Sequence, residues 1–355
     1  MPEEKEVESQ PPSSEHAARL LDYLQTNKAS LSPLLILPHD FPDPDALAAA
    51  YALQYLAKQK FDIESRIAYR GIIGRTENKA MVKLLRIPVR RLHKTDLKRF
   101  QNVAMVDTQP DFRNNPFPRK RRATLVIDQH ESTVPPVADL SIIDTGCGAT
   151  CVILAEALIM ANVDMPMRLA TALAYGILSD TQNLYRAGRA DVVKTYLKVL
   201  HESDMKLLHR IQNPPRTKSF FVTLGRCIRE AEKYRRLVVS HLGDVKNPDL
   251  ISQMADFLLT YDHVNWSFCT GRYKGRLHLS LRTAKTDVQA GEILRDVVEN
   301  RSLAGGHRSI AGGSLPVGLT EPEDVWEARE EALQLRLVKR LRMSTKGEFW
   351  KPFKR

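Results

Sequence analysis

The chain has 355 residues, of which 43% are hydrophobic and 27% charged, a composition that suits a soluble globular protein long enough for two cored domains. No apolar run approaches the roughly 20 residues a membrane helix requires, which argues against an integral membrane protein. Lys and Arg number 53 against 42 Asp and Glu, with the excess gathered at Arg119–Arg122 and between Arg336 and Arg355; such clusters suit phosphate-rich partners, RNA included, although charged runs are more often solvated surface.

Residues 1–15 are acidic and rich in Pro and Ser, and read as the disordered lead-in of a cytoplasmic protein. Residues 16–212 alternate short apolar runs with helical segments, the βαβ pattern of a parallel sheet. Leu34–Leu37 is wholly apolar, as a strand covered on both faces would be, and an Ala- and Leu-rich helix begins near Ala46. Between them stand His39, Asp40, Asp43 and Asp45, stiffened by Pro42 and Pro44. A plain helix cap accounts for Asp45, but not for the His and the second Asp. Later strands end at Asp107, Asp128 and Asp144. Helices are expected over Gly148–Ala161, Met167–Ser179 and Asp191–His201, with Asp180 just past the second.

Consecutive prolines make residues 213–219 a linker. Residues 220–320 read as a smaller α+β domain. It has a β-rich opening at FFVTLGRCIREAEKYRRLVVSHL, a hairpin around Lys274 and Gly275, a helix near Ala290–Glu299 and the loop AGGHRSIAGGSLPVG. Residues 321–355 form a charged tail, acidic and helical at first and basic at the end. Cys147, Cys151, Cys227 and Cys269 lack the paired spacing of a zinc site and read as small buried thiols.

Strand C-termini of a parallel sheet lie along one edge, so Asp43, Asp45, Asp107, Asp128 and Asp180 can converge there with His39 and His130. Carboxylates gathered without cations repel one another and take up protons. Divalent ions resolve the conflict, and carboxylates with one or two imidazoles suit manganese, with magnesium or iron also admissible. Two ions about 3.5–4 Å apart clamp both sides of a phosphoryl displacement. Asp107 is the candidate bridge. Unrelated helix caps and ion pairs would leave the strand-end placement unexplained.

The segments HDFPDPDALAA, VDTQPDFRNNP, VIDQHES, YGILSDTQN and AGGHRSIAGGS, in this order between Leu34 and Leu319, resemble the DHH phosphoesterase family. The resemblance is to the branch with the first type of DHH-associated domain. That branch holds oligoribonucleases of very short RNA, 3′-phosphoadenosine 5′-phosphate phosphatases and cyclic- or linear-dinucleotide phosphodiesterases. It implies an α/β fold, with a parallel-sheet N-terminal domain, a smaller α+β C-terminal domain and the active-site cleft between them. It also implies two manganese ions, with His39, Asp43 and Asp180 at the first, Asp45 at the second together with the positions of Gln129 and His130, which also face the scissile phosphate, and Asp107 bridging. Asp107, Asp128 and His130 would be catalytic. Arg282, Gly305, Gly306, His307 and Arg308 would hold a short single-stranded RNA or small nucleotide, in a chain that forms a homodimer as is common in the family. Inorganic pyrophosphate is less expected, because that branch carries a different associated domain.

The chain departs from the family at one place. The Asp-His-His motif reads Asp128-Gln129-His130. An amide carbonyl is a weaker ligand than imidazole for transition metals. Gln129 therefore predicts a weakened second ion, or else a nucleotide sensor in place of an enzyme.

Overall fold

The computed structural model describes residues 12–285, 288–306, 309–344 and 347–354 and divides into two compact units between Pro214 and Pro215. In the first, α1 (Ser13–Leu31) leads into β1 (Leu34–Pro38), α2 (Pro44–Phe61), β2 (Ser65–Tyr69), α3 (Thr76–Leu85), β3 (Val89–Arg91) and the short α4 (Asp96–Arg99). There follow β4 (Asn102–Val106), β5 (Ala123–Asp128), β6 (Ala138–Ile143), α5 (Thr150–Met160), α6 (Met167–Asp180), α7 (Ala190–His201) and α8 (Met205–Gln212). The strands form one parallel sheet in the order β3-β2-β1-β4-β5-β6.

Leu34 and Ile36 of β1 enter a core shared with α1, α2 and α5. Leu35 and Leu37 pack on the opposite face with Val103, Met105 and Phe117. Burial on both faces explains why β1 shows no polar alternation. The strand order reverses between β1 and β4, and their carboxyl ends therefore border the switch point where open α/β sheets bind ligands.

The lead-in expected through residue 15 ends sooner, because Ser13–Glu15 form the first turn of α1. Ser13 is buried, its hydroxyl donating to Asp144 at 3.0 Å and its N–H to Asp191 at 3.1 Å. Arg189 donates to both oxygens of Asp144, at 2.9 and 2.7 Å, and to the Ser13 hydroxyl at 2.6 Å. Asp144 is thus a strand-end carboxylate whose charge is already matched by an arginine.

The second unit contains α9 (Lys218–Arg229), β7 (Glu232–Tyr234), β8 (Leu237–Asp244), α10 (Asp249–Leu259), β9 (Trp266–Tyr273), β10 (Arg276–Thr283), α11 (Ala290–Val297), β11 (Ala304–Gly306), β12 (Ile310–Pro316) and α12 (Glu323–Arg340). Its mixed sheet runs β11-β12-β10-β9-β8-β7, with β8 and β9 parallel. Lys274 and Gly275, at φ 50° and 70°, make the expected hairpin turn.

Three expectations change here. The opening of this unit, expected as strand, is helix α9, and the helix starts inside the stretch assigned to the linker. The Thr217 side chain caps it by accepting the N–H of Phe220, and Thr223 and Cys227 lie buried one turn apart. The glycine-rich stretch is a hairpin and not a loop, with Gly305 opposite Gly312. Gly306 sits at φ 149°, and a Cβ there would lie 2.2 Å from the carbonyl oxygen of Ile310, which restricts the position to glycine. Finally, the tail belongs to the second core: Trp326, Leu333, Leu337 and Val338 of α12 pack with α11 and the sheet.

The basic clusters are largely engaged at home. Arg121 donates to the carbonyl oxygens of Leu97, Phe100 and Gln101, and Arg122 pairs with Asp139. Arg336 and Arg340 pair with Glu299 and Asp296, and Lys351 with Glu230. All four cysteines are free and buried, as expected.

Candidate metal centre

Asp43 is the N-cap of α2, accepting the Ala46 N–H at 3.0 Å. Asp45 does not cap its own helix. It is fully buried and accepts the N–H groups of Thr150 and Cys151, at 2.7 and 2.8 Å, from the start of α5. The unpaired N–H groups and positive end of a helix dipole favour a carboxylate at that place.

Asp107 follows β4 at φ 57°, a left-handed conformation that costs a non-glycine residue energy and persists where its surroundings hold it. Its N–H donates to the Ile127 carbonyl at 2.9 Å, and its Oδ1 accepts the Thr150 hydroxyl at 2.8 Å.

His39 Nδ1 lies 2.7 Å from the Asp40 carbonyl oxygen. That contact fixes the proton on Nδ1 and leaves Nε2 as a lone-pair donor. Nε2 is 3.7 Å from Asp43 Oδ2 and 3.4 Å from Asp107 Oδ2. Donors sharing one ion at about 2.1 Å sit roughly 3.0–3.5 Å apart, a spacing the Asp107 contact meets and the Asp43 contact slightly exceeds, so these three residues are placed as ligands that would draw in around an ion. They also place one ligand atom each within 4.8 Å of one another. Asp40 itself is turned to Arg70, whose Nε donates to it at 2.8 Å.

Asp107, Asp128 and His130 form a second such group. Within it, Asp128 Oδ1 accepts His130 Nδ1 at 2.8 Å and the Gln129 N–H at 2.9 Å. Its Oδ2 accepts Gln109 Nε2 at 2.8 Å. The same nitrogen donates to the His130 carbonyl at 2.8 Å. Asp128 therefore orients the imidazole of His130.

Asp180, expected beside His39 and Asp43, ends α6 and accepts Gln129 Nε2 at 2.7 Å. That nitrogen is also 3.3 Å from Asp45 Oδ2. One turn before Asp180, a Cβ on Gly176 would lie 3.0 Å from both Ala48 Cβ and Cys151 Sγ and 3.2 Å from the Pro44 carbonyl oxygen. The glycine thus lets α6 close against α2 and α5. After Asp180, the chain takes left-handed φ values of 51°, 56° and 68° at Gln182, Asn183 and Leu184.

Burial is the main cause that raises the carboxyl pKa of Asp45, Asp107 and Asp180, and neighbouring carboxylates push the same way. Burial also works against the charge of Asp43, but hydrogen bonding to His39 outweighs it and holds that carboxyl at about 2. For His130, burial is outweighed by Asp128, Asp107 and Asp180, which push it up to about 10. His39 is raised likewise by Asp107 and Asp43. The carboxyl groups Asp43, Asp45, Asp107, Asp128 and Asp180 outnumber the two imidazoles, and a divalent cation would supply balancing positive charge.

Of the expected nucleotide contacts, His307 and Arg308 lie outside the described residues. Arg282 is only 5% exposed. Its Nε donates to Asp256 at 2.5 Å and its Nη1 to the carbonyl oxygens of Leu281 and Ala311. It borders a cavity of about 230 Å³ with His278, Ser280, Gly312 and Gly313. In this cavity the Ser280 hydroxyl and His278 Nε2 have no hydrogen-bond partner among the described residues. Gln109, Thr150 and Ser280 carried no signal in the sequence beyond their nearness to strand and helix ends.

A doubly wound sheet with carboxylates and imidazoles gathered at its switch point is the layout of an α/β ligand-binding domain. Residues 33–177 match the DHH family, N-terminal domain, and residues 235–336 match the DHHA1 domain. The chain belongs to the DHH family, whose members are phosphoesterases. It is 30% identical over 326 residues to the uncharacterized protein MJ1633 of Methanocaldococcus jannaschii, covering 90% of this chain and 66% of that one. To MJ0988 of the same organism it is 24% identical, covering 89% of this chain and 93% of that one. The chain therefore spans somewhat less than two thirds of MJ1633 and nearly all of MJ0988. A stretch of 41 residues, 12% of this chain, is 44% identical to a probable manganese-dependent inorganic pyrophosphatase of Streptococcus equi subsp. zooepidemicus, covering 13% of that protein. An exopolyphosphatase-related protein from Bacteroides fragilis shares the fold, with a TM-score of 0.70 at 14% identity over 95% of this chain and all of that one.

Proposed function

We propose that the protein is a divalent-cation-dependent phosphoesterase acting on short oligoribonucleotides, dinucleotides or 3′-phosphoadenosine 5′-phosphate. The open spacing of His39, Asp43 and Asp107 at the sheet's switch point carries this reading. A bound ion, manganese before magnesium by the donor set, supplies Lewis-acid activation of water and of the phosphoryl group.

The chain's own residues have separable tasks. The Asp40 carbonyl holds His39 so that Nε2 faces the two carboxylates. Thr150 fixes one oxygen of Asp107 and leaves the other toward His39. Gln109 and Asp128 orient His130 as the group that neutralises phosphoryl charge. In the second unit, Arg282, Gly305 and Gly306, with His307 and Arg308, take the nucleotide, and Ser280 and His278 offer further polar atoms. A cytoplasmic location and a homodimer belong to the same reading. Among the described residues no helix is long and apolar enough to cross a membrane.

The test is to strip the protein of metal, restore manganese, and follow products from di-, tri- and longer ribonucleotides, 3′-phosphoadenosine 5′-phosphate and pyrophosphate by chromatography. Manganese-dependent turnover, quickest on the shortest RNA or on 3′-phosphoadenosine 5′-phosphate, supports the reading. Turnover of pyrophosphate alone moves the substrate class. The sensor reading is favoured by one contact, the Gln129 amide lying against Asp45 and Asp180. Nucleotide binding that survives chelation, without turnover of any substrate, would establish it.

A further inference from the structure

We propose that the centre holds a single divalent ion, because the amide of Gln129 occupies the place of a second. This inference rests on the metal-dependent reading above and specifies its stoichiometry. In the group of Asp107, Asp128 and His130 the imidazole Nδ1 is hydrogen-bonded to Asp128 at 2.8 Å, and the two remaining groupings of the centre differ in one respect. At His39, Asp43 and Asp107 the facing donor atoms stand 3.4 and 3.7 Å apart. These are gaps for a shared ion.

At Asp45 and Asp180 the gap is closed. Gln129 Nε2 donates to Asp180 at 2.7 Å and reaches Asp45 at 3.3 Å. Asp45 already accepts the N–H groups of Thr150 and Cys151. The amide nitrogen is the atom within reach of both carboxyl groups, and an amide NH₂ donates hydrogen bonds but offers no lone pair to a cation. A cation between the same two carboxylates would demand the opposite, an oxygen or ring nitrogen facing inward. The set Asp45, Asp180 and Gln129 therefore does not fit an ion as it stands. Asp107 turns Oδ2 toward His39, while its Oδ1 accepts the Thr150 hydroxyl and lies 3.6 Å from His130 Nδ1.

An NH₂ group has two donors and links two carboxylates without adding net charge. Displacing it would leave the fully buried Asp45 facing Asp180 with no donor between them. Imidazole at the same position would offer a lone pair to a cation. Gln129 is thus the residue that sets how many ions this site takes.

The experiment is equilibrium dialysis of the full chain against manganese, with the metal counted by atomic emission and its spectrum recorded by electron paramagnetic resonance. The wild type is expected to bind one ion per chain with the spectrum of isolated manganese. Gln129→His is expected to bind two, with the spin coupling of ions roughly 4 Å apart. Two ions in the wild type, or a coupled spectrum, would overturn the inference while leaving the phosphoesterase reading intact. A folded Gln129→His variant that still binds one ion would overturn it too. Absence of any bound ion would sink both readings. Should Gln129→His fail to fold, Asp180→Asn decides: the ion is kept with affinity changed by no more than about threefold, and its loss would place Asp180 among the ligands and refute the assignment.

Discussion

At Asp107, backbone and side chain are committed to one arrangement. Its left-handed φ of 57° and the Thr150 hydroxyl at 2.8 Å hold a buried carboxylate that burial itself disfavours in its charged form. Asp107→Asn keeps the shape and removes the charge. Turnover should fall by at least about 100-fold, the scale of losing one charge-stabilising group in a site, while the metal-free protein melts no earlier than wild type because one crowded carboxylate is gone. Near-normal turnover would show that the centre lies elsewhere. The sequence made most of these residues legible, since strand-end position and the spacing of His39, Asp43 and Asp45 mark them directly. Gln109 and Thr150 escaped because their roles exist only as contacts across the fold, from Gln109 to Asp128 and from Thr150 to Asp107. Asp144 is the complementary case, a strand-end carboxylate whose partner Arg189 lies 45 residues away in sequence.

Among the elements, α6 shows how packing sets the centre. Gly176 allows this helix to lie within contact of Pro44 and Ala48 one turn before Asp180. Gly176→Val should destabilise the protein by about 1–3 kcal/mol through overpacking, outweighing the gain in helix propensity. Manganese affinity should stay within about threefold, because the end of α6 carries Asp180 and none of the donors His39, Asp43 and Asp107 assigned to the ion. Chemical denaturation and dialysis would measure the two effects, and an unchanged midpoint would contradict the packing argument.

Helix α1 is tied down differently, by Ser13, Arg189, Asp144 and Asp191. Burial works against the Asp191 carboxylate, but the Ser13 N–H and Arg189 outweigh it and hold its pKa below the usual range. A depressed folded pKa means that this stabilisation is in place above the unfolded value of about 3.9 and is lost as pH falls through the folded value. Asp191→Asn should therefore lower stability near about pH 7 and flatten the loss of stability below about pH 4. Parallel acid melts of the variant and wild type would show the network idle. The composition of residues 1–15 hid this tether, and the aromatic and β-branched run Phe220–Thr223 hid helix α9, where the Thr217 cap outweighs local β preference.

For the whole molecule, net charge is a poor guide to the binding surface. The excess of 11 positive charges suggested two basic patches, yet Arg121, Arg122, Arg336 and Arg340 are spent on carbonyl oxygens and carboxylates of the same unit. The parallel sheet was legible because βαβ alternation and two-sided burial leave continuous apolar runs. The glycine-rich hairpin was not, because Gly305 and Gly312 find each other only across strands β11 and β12. What the two units do can be separated by experiment. Every donor assigned to the ion, from His39 through Asp107, belongs to the first unit, while Arg282 and the Ser280 cavity belong to the second. Manganese alone should therefore slow amide exchange at the ends of β1, β4 and β5 and at the starts of α2 and α5. At 100 times its dissociation constant the stabilisation reaches about 2.7 kcal/mol, enough to slow exchange roughly 100-fold where opening releases the ion. Peptides from β10 and β12 should change only when a nucleotide is added. Equal protection of both units by manganese alone would mean that the ion is not held by the first unit's residues.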